Sequence, residues 1–251
     1  MKNHETSPCK MYEENHKISY YDLDFLGRVR LSALLRTVHI AADENANTLK
    51  IGFNELAAYN MTFVLQRFAV FAARMPAYGE TVKIRTWPDG AARGTFTRKG
   101  DMYDTSGKKI MEWASMWVLF DIAERKILKP KALPVKLPEF ADHGVKINPE
   151  KITPPAESFD EEFSRHTHTV RYADVDTNRH MNNSIYGDLI GNALYPQVDQ
   201  TPQVWREIQI NYQAEARHGE EITVTAYREN DTFFVLGKTS EKTSFTAQIK
   251  S

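Results

Sequence analysis

The stretch Tyr172-Ala-Asp-Val-Asp-Thr-Asn-Arg-His-Met-Asn-Asn-Ser-Ile-Tyr186 gathers acidic, amide and imidazole side chains directly ahead of an apolar helical pattern. Within it, Asp176, Asn178 and His180 form the spacing Asp-x-Asn-x-His, and two asparagines follow at the next polar positions. These side chains donate, accept and relay protons near neutral pH. The stretch is therefore a candidate active-site loop.

The apolar helix after this loop is predicted to begin near Asn183 or Ser184, because Asn and Ser are common helix N-caps. Its unpaired backbone N–H groups would face the loop and stabilise a developing oxyanion. The spacing Asp-x-Asn on its own is explained by a purely structural role, a capped helix that follows a polar turn. The longer run, which continues through the asparagine pair to Tyr186, favours a functional interpretation.

The order of elements around this loop occurs twice in the chain. Five residues recur 152 positions later, where Tyr20, Asp22, Asp24, Ser32 and Ala41 match Tyr172, Asp174, Asp176, Ser184 and Ala193. Further on, at an offset of 140, Gly79, Glu80, Val82 and Ile84 fall on Gly219, Glu220, Ile222 and Val224. The strand parity is thus preserved, so the same sheet face is buried in both copies.

Each copy is predicted to contain one helix and four or five antiparallel strands. The first copy has a helix over 30–50 and strands over 16–22, 62–74, 80–87, 94–104 and 108–121. The second has a helix over 184–195 and strands over 166–173, 204–215, 220–228, 232–239 and 244–250. The proline-rich segment 129–155 is predicted to be a linker with little regular hydrogen bonding.

The polar cluster belongs to the second copy alone. At the first-copy positions that match Asn178, His180 and Glu215 stand apolar or cationic residues, and only the Asp of the loop keeps its type. Those three residues are Leu26, Arg28 and Met75. A cluster needed only to build the turn should be kept in both copies, so the second copy is predicted to carry the chemistry.

The motif, the tandem organisation and the segment Asn211-Tyr-Gln-Ala-Glu215-Ala216 together resemble the fatty acyl-acyl carrier protein (ACP) thioesterases, of the plant-plastid type and its bacterial relatives. The resemblance covers nearly the whole chain. It implies an α+β fold of two tandem hotdog units, each an antiparallel sheet wrapped around a central helix, which form a covalent pseudo-dimer. The expected domains are 1–145, for acyl-chain binding, and 146–251, for the active site.

By the same resemblance, Asp176, Asn178 and His180 fall on the family's active-site motif and Glu215 falls on its acidic partner. The implied reaction is hydrolysis of fatty acyl-ACP to free fatty acid and ACP, with Glu215 or Asp176 activating water and the N–H groups near Asn183 and Ser184 binding the oxyanion. Plant members often carry Cys directly after the acidic partner. This chain has Ala216 there, so water attack follows more naturally than a thiol nucleophile.

Composition excludes several other classes. The chain has 251 residues, 41% hydrophobic and 26% charged, with a net charge of −1, which gives no global field for nucleic acid or an anionic membrane. No apolar run reaches the length of a membrane helix, and the N-terminus lacks signal or transit character, so the expected location is cytoplasmic. The single cysteine, Cys9, lies far from the polar cluster. No metal-ligand spacing joins His166, His168 and His180, so neither a metal nor a cofactor is expected.

Other readings share this fold. An acyl-CoA thioesterase would use the same chemistry on a different carrier, a hotdog hydroxyacyl dehydratase also pairs His with a carboxylate, and a non-catalytic acyl-binding module needs no such cluster. Chain-length preference and assembly as a homodimer are left open. Candidates to line an acyl tunnel are Met61, Phe63, Phe68, Phe71, Met75, Trp113, Met116 and Trp117. Candidates for a basic surface facing the acidic ACP are Arg93, Arg98, Lys99, Lys108, Lys109, Arg125, Lys126 and Lys129.

Overall fold

The computed structural model describes residues 11–137, 142–153, 162–198 and 205–250. The first unit contains a long helix, a short helix and six strands. They are β1 (Tyr12–Lys17), α1 (Leu31–Thr48), α2 (Phe53–Ala57), β2 (Met61–Ala72), β3 (Thr81–Ala92), β4 (Thr95–Tyr103), β5 (Lys109–Asp121) and β6 (Lys126–Leu128). The second unit comprises β7 (Glu162–Thr169), α3 (Ile185–Val198), β8 (Glu207–Tyr212), β9 (Glu221–Glu229), β10 (Thr232–Lys238) and β11 (Thr243–Lys250).

The strands form one antiparallel sheet of eleven strands in the order β1-β3-β4-β5-β2-β8-β11-β10-β9-β7, with β6 paired to β5. The two halves of this order mirror each other, and β2 pairs with β8 at the centre. Each copy thereby covers the other's sheet edge. The prediction of an α+β fold with two tandem hotdog units is confirmed.

The central helices are buried because their apolar stripes pack against inward residues of the sheet. On α1, Leu31, Leu34, Leu35 and Val38 are at most 3% exposed. They pack in one core cluster with inward residues of β3 and β4 and with the apolar side of α3. Conserved strand parity accounts for this, since Val82 and Ile84 and their repeat partners are all fully buried.

The two central helices also touch each other near their N-termini. A Cβ on Gly187 would lie 2.6 Å from the backbone nitrogen of Ser32, so only glycine permits this approach. The Ser32 hydroxyl donates a hydrogen bond to the Asp188 carboxylate. The N-termini of the two helices, and the loops that precede them, are therefore held side by side.

Two of the predicted strands, 16–22 and 166–173, are shifted, because β1 and β7 both begin and end earlier than expected. Residues Tyr20–Asp22 and Tyr172–Asp174 form single 3₁₀ turns rather than strand ends. In each turn a carboxylate accepts a hydrogen bond from a backbone N–H three residues earlier, Ser19 to Asp22 at 2.7 Å and Arg171 to Asp174 at 2.8 Å. This local bonding competes with strand pairing.

The connection between the units makes more hydrogen bonds than the sequence indicated. The Ile152 N–H donates to Asn211 Oδ1 at 2.9 Å, and the Asn211 amide donates to the Glu150 carbonyl at 2.9 Å. Ile152 and Val145 are buried. The linker prediction missed these contacts because the partners are side chains of β8, about 60 residues away. The domain boundary at 145/146 stays a prediction. Among the helices in the described ranges, none is both long enough and apolar enough to cross a membrane.

Candidate active site

Four residues predicted to carry the chemistry line one cleft of about 360 Å³, although they come from segments distant in sequence. These are Asp176, Asn178, His180 and Glu215, and Asn183 lines the cleft with them. The first unit supplies the opposite wall, with Phe53, Thr62, Phe63, Val64, Leu65, Phe120, Ile122 and Arg125. The cleft therefore lies between the two units and is incomplete in either one.

The backbone of the 176–182 loop is fixed by local hydrogen bonds. The Asp176 N–H donates to the His180 carbonyl at 3.0 Å, and the Arg179 N–H donates to the Asp176 carbonyl at 3.0 Å. The Asp176 carboxylate accepts the Asn178 N–H at 2.8 Å. Arg179 takes a left-handed conformation with φ 66°, which is uncommon for a residue other than glycine. One carboxylate oxygen of Asp176 is thus engaged in forming the turn.

Glu215 reaches this loop because its neighbour is tied to the loop backbone. The Met181 N–H donates to the Ala216 carbonyl at 2.7 Å, and both residues are buried. Around the Glu215 carboxylate, Arg125 lies at 3.7 Å and Arg217 at 3.6 Å. The carboxylate side chain is 37% exposed, so it is accessible to water in the cleft. The contact with Arg125 of the first unit was not predicted.

His180 and the start of α3 present the remaining groups. The Nδ1 atom of His180 lies 3.4 Å from the Met181 carbonyl, which leaves Nε2 without a partner among the residues described. The Asn183 backbone N–H likewise has no acceptor within the described chain. The contacts of Ser184 do not support the oxyanion role predicted for it. Its N–H and hydroxyl both donate to Asn182 Oδ1, at 2.9 and 2.8 Å, and it does not line this cleft.

Two tyrosines pack behind the cleft. Tyr186 and Tyr212 are in edge-to-face contact at 5.3 Å, and burial raises the pKa of both phenols. Both therefore stay protonated at neutral pH and do not act as proton acceptors. The Tyr212 hydroxyl donates to the Asn183 carbonyl at 3.4 Å, which supports the start of α3.

An apolar pocket of about 210 Å³ lies beside α1 in the first unit and adjoins the cleft. Phe53, Thr62, Phe63 and Asn178 line both spaces. Of the predicted tunnel residues, Phe63 and Trp117 line the pocket, whereas Phe68, Trp113 and Met75 pack in the core and Phe71 is 45% exposed. Aromatic content alone does not distinguish pocket from core. Phe53, His39 and Arg98 line the pocket and were not predicted to do so.

The predicted basic surface is only partly present. The prediction that Arg98 belongs to this surface is wrong, because Arg98 is 8% exposed and lines the apolar pocket. Lys99 pairs with Asp89 at 2.9 Å and Lys109 with Glu112 at 3.0 Å, which neutralises both locally. Arg125 does lie at the cleft. In the described ranges no three His, Cys, Asp or Glu side chains are grouped as metal ligands, and Cys9 lies outside those ranges.

The fold and the cleft define a protein of two tandem hotdog units with a polar site between them. The chain belongs to the acyl-ACP thioesterase family, whose N-terminal domain model matches residues 9–131 and whose C-terminal domain model matches residues 157–250. The identification from the sequence is therefore confirmed.

Among individual relatives, a chloroplastic acyl-[acyl-carrier-protein] hydrolase from Cuphea viscosissima is 22% identical over 204 residues, which is 77% of this chain and 50% of the relative. A chloroplastic dodecanoyl-[acyl-carrier-protein] hydrolase from Cinnamomum camphora is 28% identical over 62% of this chain and 40% of its own. The chain thus spans about half the length of the curated relatives it matches.

Solved structures agree on the fold. An acyl-ACP thioesterase from Bacteroides thetaiotaomicron superposes with a TM-score of 0.85 at 22% identity, covering 96% of this chain and 97% of that one. A 12:0-ACP thioesterase from Umbellularia californica gives a TM-score of 0.78 at 16% identity, covering 96% of both chains.

Proposed function

We propose that the protein hydrolyses the thioester of fatty acyl-ACP to release a free fatty acid and ACP. The observation that carries the proposal is the joining of a polar cleft to an apolar pocket. Asn178 lines both spaces, so a thioester placed beside Glu215 and His180 directs its alkyl chain toward the pocket next to α1. Family membership points to the same reaction.

Glu215 is the carboxylate best placed to activate water. Asp176 has a counterpart, Asp24, in a loop without the other polar residues, and both accept a backbone N–H two residues later, at 2.8 and 2.9 Å. Their shared role is therefore to form the turn. Glu215 has no such duty, and Met75 stands at its place in the first copy. We therefore propose Glu215, rather than Asp176, as the base.

The other groups complete the reaction. Glu215 accepts a proton from water as the water oxygen attacks the thioester carbonyl carbon, and the Asn183 N–H stabilises the resulting oxyanion. Asn178 orients the water or the carbonyl. Collapse of the tetrahedral intermediate breaks the carbon–sulfur bond, and His180 relays a proton to the departing thiolate. A cysteine nucleophile is absent from the position after Glu215, which is Ala216, and the proposed attack by water needs none.

The carrier is proposed to be ACP because the cleft has cationic residues around it. Arg125 and Arg179 line the cleft, and Arg217 lies 3.6 Å from the Glu215 carboxylate. An acidic carrier complements this charge, although the chain as a whole is nearly neutral. A cytoplasmic location and a homodimer in solution remain proposals of the same kind. Cell fractionation would test the first, and light scattering of the purified chain would test the second.

The decisive experiment is release of free thiol in single turnover from acyl-ACP and from acyl-CoA over a series of chain lengths. Rapid cleavage of acyl-ACP supports the proposal, and equal cleavage of both indicates that the carrier is not selected. Glu215→Gln should lower the rate by about 10²–10⁴-fold, as expected for loss of a general base. Asp176→Asn, the matched carboxylate in the same cleft, should cost less. A larger loss for Asp176→Asn would assign the base to Asp176 instead.

A further inference from the structure

The apolar pocket contains a polar cluster that the thioester chemistry does not use. Arg98 occupies an inward position of β4 and lines the pocket but not the catalytic cleft. Its Nη1 donates to Asn45 Oδ1 at 2.7 Å and to Thr86 Oγ1 at 3.3 Å. His39 lines the same pocket, and its buried Nε2 has no hydrogen-bond partner among the residues described.

The guanidinium of Arg98 is charged and only partly satisfied. Burial lowers the pKa of Arg98 to about 10, so the group is cationic at neutral pH, with Asp43 favouring the charge from a distance. Burial lowers the pKa of His39 to about 4, so that ring is neutral. In the part of the chain that the structure describes, no carboxylate pairs with Arg98, and neither Nε nor Nη2 has an acceptor.

The fold does not require this cluster, as the second unit shows. Arg98 pairs with Pro88 across β3 and β4, and Phe233 pairs with Arg228 across β9 and β10, at positions one repeat later. Phe233 therefore occupies the place of Arg98, and it is 1% exposed. By the repeat offsets, Ala226 replaces Thr86 and Gly191 replaces His39. The same architecture thus forms around small or apolar residues.

We propose that Arg98 binds an oxygen atom carried by the distal part of the acyl chain, with Asn45, Thr86 and His39 beside it. The substrate class is then an acyl chain with a hydroxyl or carboxylate at its far end, rather than a plain alkyl chain. The free guanidinium donors match such an oxygen. A terminal methyl group cannot accept a hydrogen bond from them and so gains nothing from the charged group. This inference rests on the proposed thioester hydrolysis.

The test compares kcat/KM for three sets of acyl-ACP substrates of matched length on the full chain. One set ends in methyl, one in an ω-hydroxyl and one in an ω-carboxylate, across a length series. At the length that reaches Arg98, an oxygenated chain should be cleaved about 10–100-fold faster than the methyl chain, the factor expected for a hydrogen bond to a charged group. An oxygen at C3 should give no such gain, because it stays in the cleft.

Variants separate binding by Arg98 from a structural role. Arg98→Met should reverse the preference, slowing the ω-oxygenated chain and speeding the methyl chain, while Arg98→Lys should retain part of it. The matched control is Lys83→Met, which removes a cation from an exposed position on the neighbouring strand and should leave the preference unchanged. Thermal unfolding of each variant checks that the chain is folded. The comparison of substrates on the wild-type chain tests the inference even if a variant fails to fold.

The outcomes are distinct. Preference for either oxygenated end, lost in Arg98→Met, supports the inference and identifies the end group. Preference for methyl chains at every length, unchanged in Arg98→Met, overturns it but leaves the hydrolase intact. Failure to cleave any thioester, methyl-ended chains included, would instead refute the proposed function itself.

Discussion

The loops 24–30 and 176–182 have the same backbone conformation but carry different side chains. Each closes an isolated antiparallel bridge, Leu23 to Val29 in the first unit and Val175 to Met181 in the second. Each has a left-handed residue at the same place, Gly27 with φ 76° and Arg179 with φ 66°. The turn therefore tolerates either set of side chains, and the polar set in the second loop is free to serve catalysis.

The side chains on the two loops differ in what they contact. In the first loop the Asp24 carboxylate forms an ion pair with the Arg28 guanidinium at 2.9 Å, so its partner lies within the same turn. In the second loop His180 stands in the place of Arg28 and lines the cleft. Residues shared by both loops therefore form the turn, whereas the residues found only in the second loop are the ones available for chemistry.

The largest effect is expected from giving the second loop the residues of the first. Asn178→Leu with His180→Arg should lower turnover by about 10²–10⁴-fold, because an acid–base group and a positioning amide are lost. Thermal stability should change little, since the first loop holds the same backbone with those residues. Single-turnover hydrolysis of acyl-ACP, alongside thermal melts, measures both.

The reciprocal variant is the control for that exchange. Leu26→Asn with Arg28→His should leave the chemical step nearly unchanged, because neither residue lines the cleft. If the second-loop variant unfolds while its folded fraction keeps full turnover, the polar residues are structural.

The two central helices offer a second comparison, because α1 carries a buried imidazole at His39 where α3 has Gly191. The pKa of His39 is about 4 in the folded state and 6.5 unfolded, so as pH falls the unfolded chain binds the proton first. Stability is full above pH 6.5 and falls toward pH 4, by about 3 kcal/mol in total. Denaturant unfolding across this window measures the slope.

His39→Leu is the matched test of that slope. The variant should unfold with a flatter pH profile between pH 6.5 and 4, whatever its absolute stability. A profile as steep as the wild type would assign the pH dependence to other groups.

A smaller effect concerns the left-handed residue of each loop. Arg179→Gly should stabilise the fold by about 0.5–1 kcal/mol. This is the free energy gained by relieving the left-handed strain, reduced by the greater conformational entropy of glycine in the unfolded chain. It should also raise KM for acyl-ACP, because a cation at the cleft is lost. Gly27→Arg in the first loop should destabilise the fold instead. Urea unfolding of both variants decides the matter, and a loss of stability in Arg179→Gly would contradict the strain argument.

The smallest effect is expected at Cys9, since neither loop contains a thiol. Cys9→Ser should leave hydrolysis unchanged, because a reactive thiolate needs a base positioned beside it. Abolished activity in the folded variant would refute a mechanism based on water attack.

Local pattern and repeat were enough to predict both central helices, most strand positions and the polar loop that brings Asp176, Asn178 and His180 to the cleft. The repeat was informative because offsets of 152 and 140 test the same fold twice within one chain. The 3₁₀ turns at Tyr20 and Tyr172 were missed, since a carboxylate bond to the backbone does not alter the alternation of apolar residues. Glu215 could be assigned by resemblance, but its approach to the loop depends on the bond from Met181 to Ala216, which no spacing reveals.

Contacts between distant segments were the part that could not be predicted. Arg98 was expected on the surface because a cation in a strand usually is, and its burial depends on Asn45 of α1, 53 residues away. Ser184 looked like an oxyanion group because it precedes the helix, yet Asn182 occupies both of its donors. In each case the side chain's partner, rather than its own type, determines its role.

The pairing of β2 with β8 also bears on how the chain assembles. Arg67 to Phe71 meet Glu207 to Asn211 across a separation of about 140 residues, which is the longest separation among the strand pairings in the described sheet. Closing so long a loop is entropically costly, so this pairing should form late in folding. Until it does, each unit exposes a strand edge that a second chain can pair with equally well. Domain-swapped dimers are therefore the expected product of refolding at high protein concentration.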